Sequence, residues 1–258
     1  MSDQDTRRNK DAALVIIGME ILSGRTQDTN THWMAERLTD HGVILKEVRI
    51  IQDDKDAIIR TVRDLSDSYD YVFTTGGIGP THDDITAESI AEAFKVKLER
   101  NREAYGLLEE HYSIDELTPA RAKMAMIPVG AELIPNPVTS APGFIIKNVH
   151  VMAGVPRIMH AMFDHVLGAI EVGQPILSST VTCGLQESQI AEDLGKLQDA
   201  YPDIEIGSYP HYRGGVLGLS LVLRSTDASI LKTATDELVE LIRKFGDEPK
   251  ALTMRMPN

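Results

Sequence analysis

Residues 74–86 read TTGGIGPTHDDIT, with glycines at 76, 77 and 79 and adjacent carboxylates at Asp83 and Asp84. The apolar residues Tyr71, Val72 and Phe73 precede the loop, and the helical pattern TAESIAEAF (86–94) follows it. A strand that ends in Gly76, Gly77 and Gly79 and runs into a helix offers main-chain N–H groups to an anion, phosphate above all. The competing reading is a plain tight turn, for which glycine's access to positive φ is reason enough. Two readings also stand for the aspartates. One is a helix N-cap with a neighbour favoured by the helix dipole. The other is Mg²⁺, a hard ion that takes oxygen ligands and bridges to phosphates. A cap needs only one carboxylate, so the second favours the metal. His82 either touches a phosphate or only bonds the loop, and Thr75 and Thr86 bring hydroxyl groups to the same region.

The flanking sequence must position this loop. ALVII (13–17), VILKEVRII (43–51) and YVFTT (71–75) read as strands. Between them, Trp33, Met34 and Leu38 recur at helical spacing, with capping residues at 28–30 and a stop at Gly42. Ile58, Ile59, Val62 and Leu65 line one face of a second helix, capped by Asp53 or Asp54. This alternation predicts an α/β fold, a three-layer, mostly parallel sheet with helices on both faces. The glycine segments 18–24 and 76–79 both follow strands, at the sheet edge where such folds bind ligands. A loop-rich stretch (121–143) precedes two short strands within 144–152 and a helix that ends near residue 170. EVGQP (171–175) marks a boundary, after which strand–helix–strand–strand–helix predicts a smaller α+β domain. The expected organisation is a disordered tail over 1–10, a large domain over 11–172 and a small one over 176–250.

Composition narrows the partners. The net charge of −13 over 258 residues argues against nucleic acid, which needs a basic face. No apolar run approaches the roughly 18 residues of a membrane span. The polar N-terminus lacks the apolar core of a secretory signal, so a cytoplasmic location is expected. Cys183 is the single cysteine, which excludes an intrachain disulfide and any multi-cysteine metal site.

TTGGIGPTHDDIT resembles the signature of the MoaB/Mog-type, molybdopterin-binding-like family, and its paired aspartates are similar to the CinA-like branch. The N-terminal domain of animal FAD synthases is similar too. EILSGRTQDTNTHWMAERLTDHG (20–42), AMIPVGAELIPNPVTSAPGF (125–144) and AGVPRIM (153–159) match further family blocks in order. TVTCGLQESQIAEDLGKL (180–197) resembles the start of the KH-type domain of CinA proteins. The resemblance implies that Asp84 assists metal-dependent chemistry on a phosphate or pyrophosphate, with Asp83 as a second carboxylate. It implies ligand-facing roles for Asn136, Thr139, Ser140 and Gly143, and a pocket closed by Gly154 and Pro156. Lys123 either offsets phosphate charge or is simply solvated. Asp28 and Asn30 match a segment near the family's active site, and as helix caps they need no other role. In two places the family pattern is broken. Met19 stands where a polar residue is usual, leaving Glu20 as the carboxylate of that loop, and Ile158 stands in a glutamate's place.

The expectation is a hydrolase, a nucleotide pyrophosphatase that uses Mg²⁺, Mn²⁺ or Co²⁺ and releases AMP from ADP-ribose or a related dinucleotide. A molybdopterin- or nucleotide-binding module without turnover is the alternative, and pterin adenylyl transfer a third. The expected partner is a small nucleotide or pterin ligand, with molybdopterin as one candidate, and a homo-oligomer, dimer or trimer, follows from the resemblance.

Overall fold

The computed structural model describes residues 9–213 and 215–255. Of the expected tail, residues 1–8 lie outside the described residues, whereas Lys10 already pairs with Val43 in the sheet. The chain divides into two compact units between Gly173 and Gln174.

In the first unit β1 (Lys10–Ile17) leads through a single helical turn, α1 (Met19–Leu22), to α2 (Asn30–Asp40). Then come β2 (Val43–Ile51), α3 (Lys55–Ser68), β3 (Tyr71–Thr75) and α4 (Thr86–Ala93). A peripheral stretch holds β4 (Leu98–Arg100), α5 (Arg102–His111), α6 (Pro119–Ala122) and β5 (Met126–Pro128). β6 (Glu132–Ile134), β7 (Gly143–Ile146), β8 (Val149–Met152) and α7 (Pro156–Leu167) complete the unit. The main sheet has the order β2-β1-β3-β8-β7-β6. It is parallel from β2 to β8, and β7 and β6 add an antiparallel edge.

Residue patterns explain these placements. Ala12 to Ile17 are buried without interruption, as a central strand covered on both faces requires. Side chains of β1 alternate between two cores. Val15 and Ile17 pack with Ile58, Val62, Ile90 and Leu108 on one face. Leu14 and Ile16 pack with Met34, Leu38, Met159 and Phe163 on the other. Of the two capping candidates for α3, Asp54 does the work, its carboxylate accepting the Ala57 N–H at 2.8 Å. Asp53 is left for another purpose.

His150 of β8 is 4% exposed, against Phe73 and Tyr71. Burial pushes its pKa down to about 4. An unfolded histidine titrates near 6.5, so between pH 6.5 and 4 the unfolded chain binds the proton that the folded chain refuses. Stability from this group is complete above pH 6.5 and drains away as pH falls towards 4, by roughly 3 kcal/mol. Denaturant unfolding of His150→Leu at pH 7, 5.5 and 4.5 is expected to lack this component of acid destabilisation.

The second unit comprises β9 (Leu177–Cys183), α8 (Glu187–Ala200), β10 (Glu205–Arg213), β11 (Val216–Ser225), α9 (Ala228–Lys244) and β12 (Ala251–Arg255). Its sheet, β10-β11-β9-β12, is antiparallel throughout. Alternate residues Leu219, Leu221 and Leu223 pack with Ile190 of α8 and Leu231, Leu238 and Ile242 of α9. β12 was not expected, and it lies beyond the residue 250 at which the small domain was expected to end. Cys183 is buried in this core. Among the described residues, no helix is long and apolar enough to cross a membrane.

Candidate functional site

The carboxyl ends of β1, β3 and β8 lie side by side, so the segments that leave them converge. Gly76 donates its N–H to the Met152 carbonyl of β8 at 3.1 Å. It has φ of 104°, and a Cβ there would lie 2.1 Å from the Ile17 carbonyl oxygen of β1. Gly77 has φ of 68°, and a Cβ on it would lie 2.1 Å from the Thr86 hydroxyl. Thr86 is buried, its hydroxyl donates to the Gly76 carbonyl at 3.0 Å, and its N–H donates to the Gly77 carbonyl at 3.0 Å. Thr86 therefore holds the turn from inside rather than presenting its hydroxyl to a ligand. Among the described residues, the N–H groups of Gly77, Ile78 and Gly79 donate to no protein acceptor. Three such amides in sequence are donors available to an anion.

These amides border a cavity of about 200 Å³ that Asp84 and Lys123 also line. Its remaining wall is mostly apolar and includes Met124, Met126, Ile127, Pro142 and Phe144. One Asp84 oxygen accepts from the Thr81 N–H at 2.8 Å and from the Thr81 hydroxyl, and a Cβ on Gly79 would lie 2.7 Å from that oxygen. The Lys123 ammonium donates to the main-chain oxygens of Thr81, at 3.0 Å, and Asp84, at 2.8 Å, and so braces the acidic turn. Neither aspartate caps α4, whose N-cap position is Ile85 with no side-chain bond. The cap reading is thus corrected. The turn is held instead by Thr81 and Lys123. Asp83 is exposed, and His82, almost fully exposed, stands 3.9 Å from it.

A second, narrower crevice of about 60 Å³ is lined by Glu20, Asp28, Asn30, Thr75, Gly154 and Pro156, among others. Asn30 donates its side-chain N–H to the Gly154 carbonyl at 2.8 Å. Asp28 accepts from the N–H groups of Asn30 and Thr31, at 2.9 and 3.2 Å, and so supports the start of α2. Gly154 approaches Gly76 so closely that a Cβ on it would lie 3.2 Å from the Gly76 Cα. The expected site residues are thereby divided. Gly77, Gly79, Asp84 and Lys123 line the larger cavity, and Glu20, Thr75, Gly154 and Pro156 line the crevice.

The segment NPVTSAPG departs from expectation. Asn136 is buried and donates to the Thr139 hydroxyl at 2.7 Å and the Ala141 carbonyl at 2.8 Å. Its side-chain oxygen accepts from the N–H groups of Val138 and Thr139, at 3.0 and 3.2 Å. Asn136 and Thr139 thus spend their polar groups on the turn itself, and Ser140 has a positive φ of 58° within it. Gly143 meets a packing need, since a Cβ would lie 2.2 Å from the Val151 carbonyl oxygen. Pro142 and Phe144, not these four residues, reach the cavity.

Asp53 was missed as a functional candidate. It is half-buried, and its carboxylate accepts the Met19 N–H at 3.0 Å. Burial raises its pKa, and the negative charges of Glu20 and Asp83 push it further the same way. The Met19 bond holds it against the first glycine segment. The signal was present in the sequence: Asp53 and Asp54 are adjacent after a strand, and Asp54 alone is the cap. If Asp53 acts as a base, activity requires its ionised form. Activity then falls as pH drops through a value above the ordinary aspartate range. In Asp53→Asn, turnover is expected to fall at least about tenfold and this acid limb to vanish from the pH–rate profile.

Among the described residues, no three His, Cys, Asp or Glu side chains gather closely enough to hold a metal ion. The donor set fits a shared ion instead. Asp84, beside the unpaired amides, is placed to contribute one oxygen ligand to a hard cation that would take the rest from a phosphate and from water.

Residues 13–172 match the family model described as a probable molybdopterin binding domain, and residues 175–246 match one described as the middle domain of FAD synthase. A protein of Archaeoglobus fulgidus is 40% identical over 197 residues, 76% of this chain and 84% of that one. A probable FAD synthase of Caenorhabditis elegans is 30% identical over 261 residues, which are 91% of this chain and 50% of that protein. This chain thus spans half the length of that relative. The crystal structure of the protein CinA, of unknown function, from Thermoplasma acidophilum is 34% identical, with a TM-score of 0.60. That match covers 64% of this chain and 99% of the other.

Proposed function

The chain belongs to the family of MoaB/Mog-type, probable molybdopterin binding domains, and on that premise we propose that it is a metal-dependent nucleotide pyrophosphatase. Its substrate in this reading is ADP-ribose or a related dinucleotide, and one product is AMP. The observation that carries the reading is the cavity in which the unpaired amides of Gly77, Ile78 and Gly79 stand beside Asp84 and Lys123. Main-chain donors suit a pyrophosphate because they are fixed before the ligand arrives and cost no reorganisation. They also explain how a chain of net charge −13 accepts an anion.

Each residue has a distinct task. The amides orient the pyrophosphate. Lys123 keeps the 81–84 turn closed and brings positive charge to the cavity wall. Asp84, assisted by Asp83, would hold the divalent ion, which when bound neutralises phosphate charge and polarises the phosphorus centre. In this reading Asp53, held beside the first glycine segment by the Met19 N–H, takes the proton of the attacking water. The water oxygen bonds to phosphorus as the bridging P–O bond breaks. No covalent enzyme intermediate is needed.

A second reading, a nucleotide- or pterin-binding module without turnover, is favoured by Met19. Its side chain is half-exposed where a polar residue is usual. Incubation with ADP-ribose, FAD or NAD and Mg²⁺, Mn²⁺ or Co²⁺ separates the two. AMP release is expected. Tight binding of a nucleotide or pterin without AMP would select the binding module.

A further inference from the structure

Asn30 and Thr75, which line the crevice beside Gly76, each carry a buried polar atom with no hydrogen-bond partner, Oδ1 and Oγ1. Their residues are 6% and 1% exposed. The orientation of Asn30 is fixed, because the Gly154 carbonyl requires the amide nitrogen. Its oxygen is therefore an acceptor awaiting a donor. The other polar groups lining the crevice include two carboxylates, Glu20 and Asp28. Thr26, Gln27 and Thr29 also line it and no Lys or Arg does, so the crevice suits hydroxyl groups better than an anion. A volume of about 60 Å³ gives room for several water-sized groups. Thr75 is the last residue of β3, directly before the glycine turn whose next amides border the larger cavity.

We infer that this crevice is a sugar-hydroxyl subsite, in which Asn30 and Thr75 recognise the diol of a pentose whose phosphate lies on the glycine turn. The inference rests on the reading that this turn binds phosphate, and it adds which arm of the substrate is recognised and where. The apolar cavity lined by Met124, Met126 and Phe144 then remains for a heteroaromatic ring.

Calorimetric titration of the full chain with ribose 5-phosphate and with inorganic phosphate tests this without any turnover. Ribose 5-phosphate is expected to bind the native protein at least about tenfold more tightly than phosphate. That advantage should disappear in Thr75→Val and survive in Thr75→Ser. An unpaired buried hydroxyl adds nothing to folding, so Thr75→Val should melt no lower than the native protein. Equal affinity for the two ligands overturns the subsite while leaving the phosphate reading of the turn intact. Failure of ribose 5-phosphate to bind overturns it whatever phosphate does. A lower melting temperature for Thr75→Val also overturns it, because the hydroxyl would then be paired inside the protein.

Discussion

Replacing Asp84 with alanine is expected to cut AMP release from ADP-ribose by at least about 100-fold while leaving the fold intact. Among the described residues the Asp84 side chain bonds only Thr81, three residues away, and its main-chain oxygen stays on Lys123 in the variant. A structural role would look different. Asp84 caps no helix, and its two bonds from Thr81 are exposed, so thermal unfolding should move by no more than the roughly 1 kcal/mol that such bonds contribute. Asp84→Asn separates charge from shape, since its side-chain oxygen can still accept from Thr81. If the ionised carboxylate matters, Asn should be nearly as inactive as Ala. Asp83→Ala should be milder, because its side chain is 61% exposed.

Gly76→Ala is expected to have the largest effect on the protein as a whole. Positive φ outside the left-handed helical well costs a non-glycine residue about 1–3 kcal/mol. Here the added Cβ would also sit 2.1 Å from the Ile17 carbonyl oxygen, which is main chain and cannot turn aside. A loss of about 3 kcal/mol or more is expected in denaturant unfolding, together with loss of nucleotide binding. Gly77→Ala makes an informative contrast. Its obstacle is the Thr86 hydroxyl, a side-chain atom. Combining Gly77→Ala with Thr86→Ala should therefore recover part of the lost stability, whereas the same second change should not rescue Gly76→Ala.

Much of the fold was legible because period and boundary signals agreed. The strands Val43–Ile51 and Tyr71–Thr75 coincide with their expected limits, each an apolar run ending at a polar or glycine-rich segment. Lys147 and Asn148 separate β7 from β8 as expected, with Lys147 at φ of 53°. β12 was hidden because LTMR carries too short a pattern, and what makes it a strand is pairing with β9 across a long stretch of sequence.

The site was less legible. Composition distinguishes poorly between a turn that satisfies itself and one that faces a ligand. Asn136 and Thr139 show this, having the right chemistry but spending it locally. Division of the candidates between two cavities comes from the crossing of Gly154 over Gly76, a long-range contact that no spacing encodes. Asp53 was overlooked because one capping role seemed to account for an adjacent pair.

The most direct test of the central claim is an amide NMR titration of the native protein with ADP-ribose and Mg²⁺. The amides of Gly77, Ile78 and Gly79 are expected to shift on binding, while the Gly76 amide, already held by Met152, moves much less. Saturable binding that leaves those three amides unmoved and shifts resonances elsewhere would contradict the account.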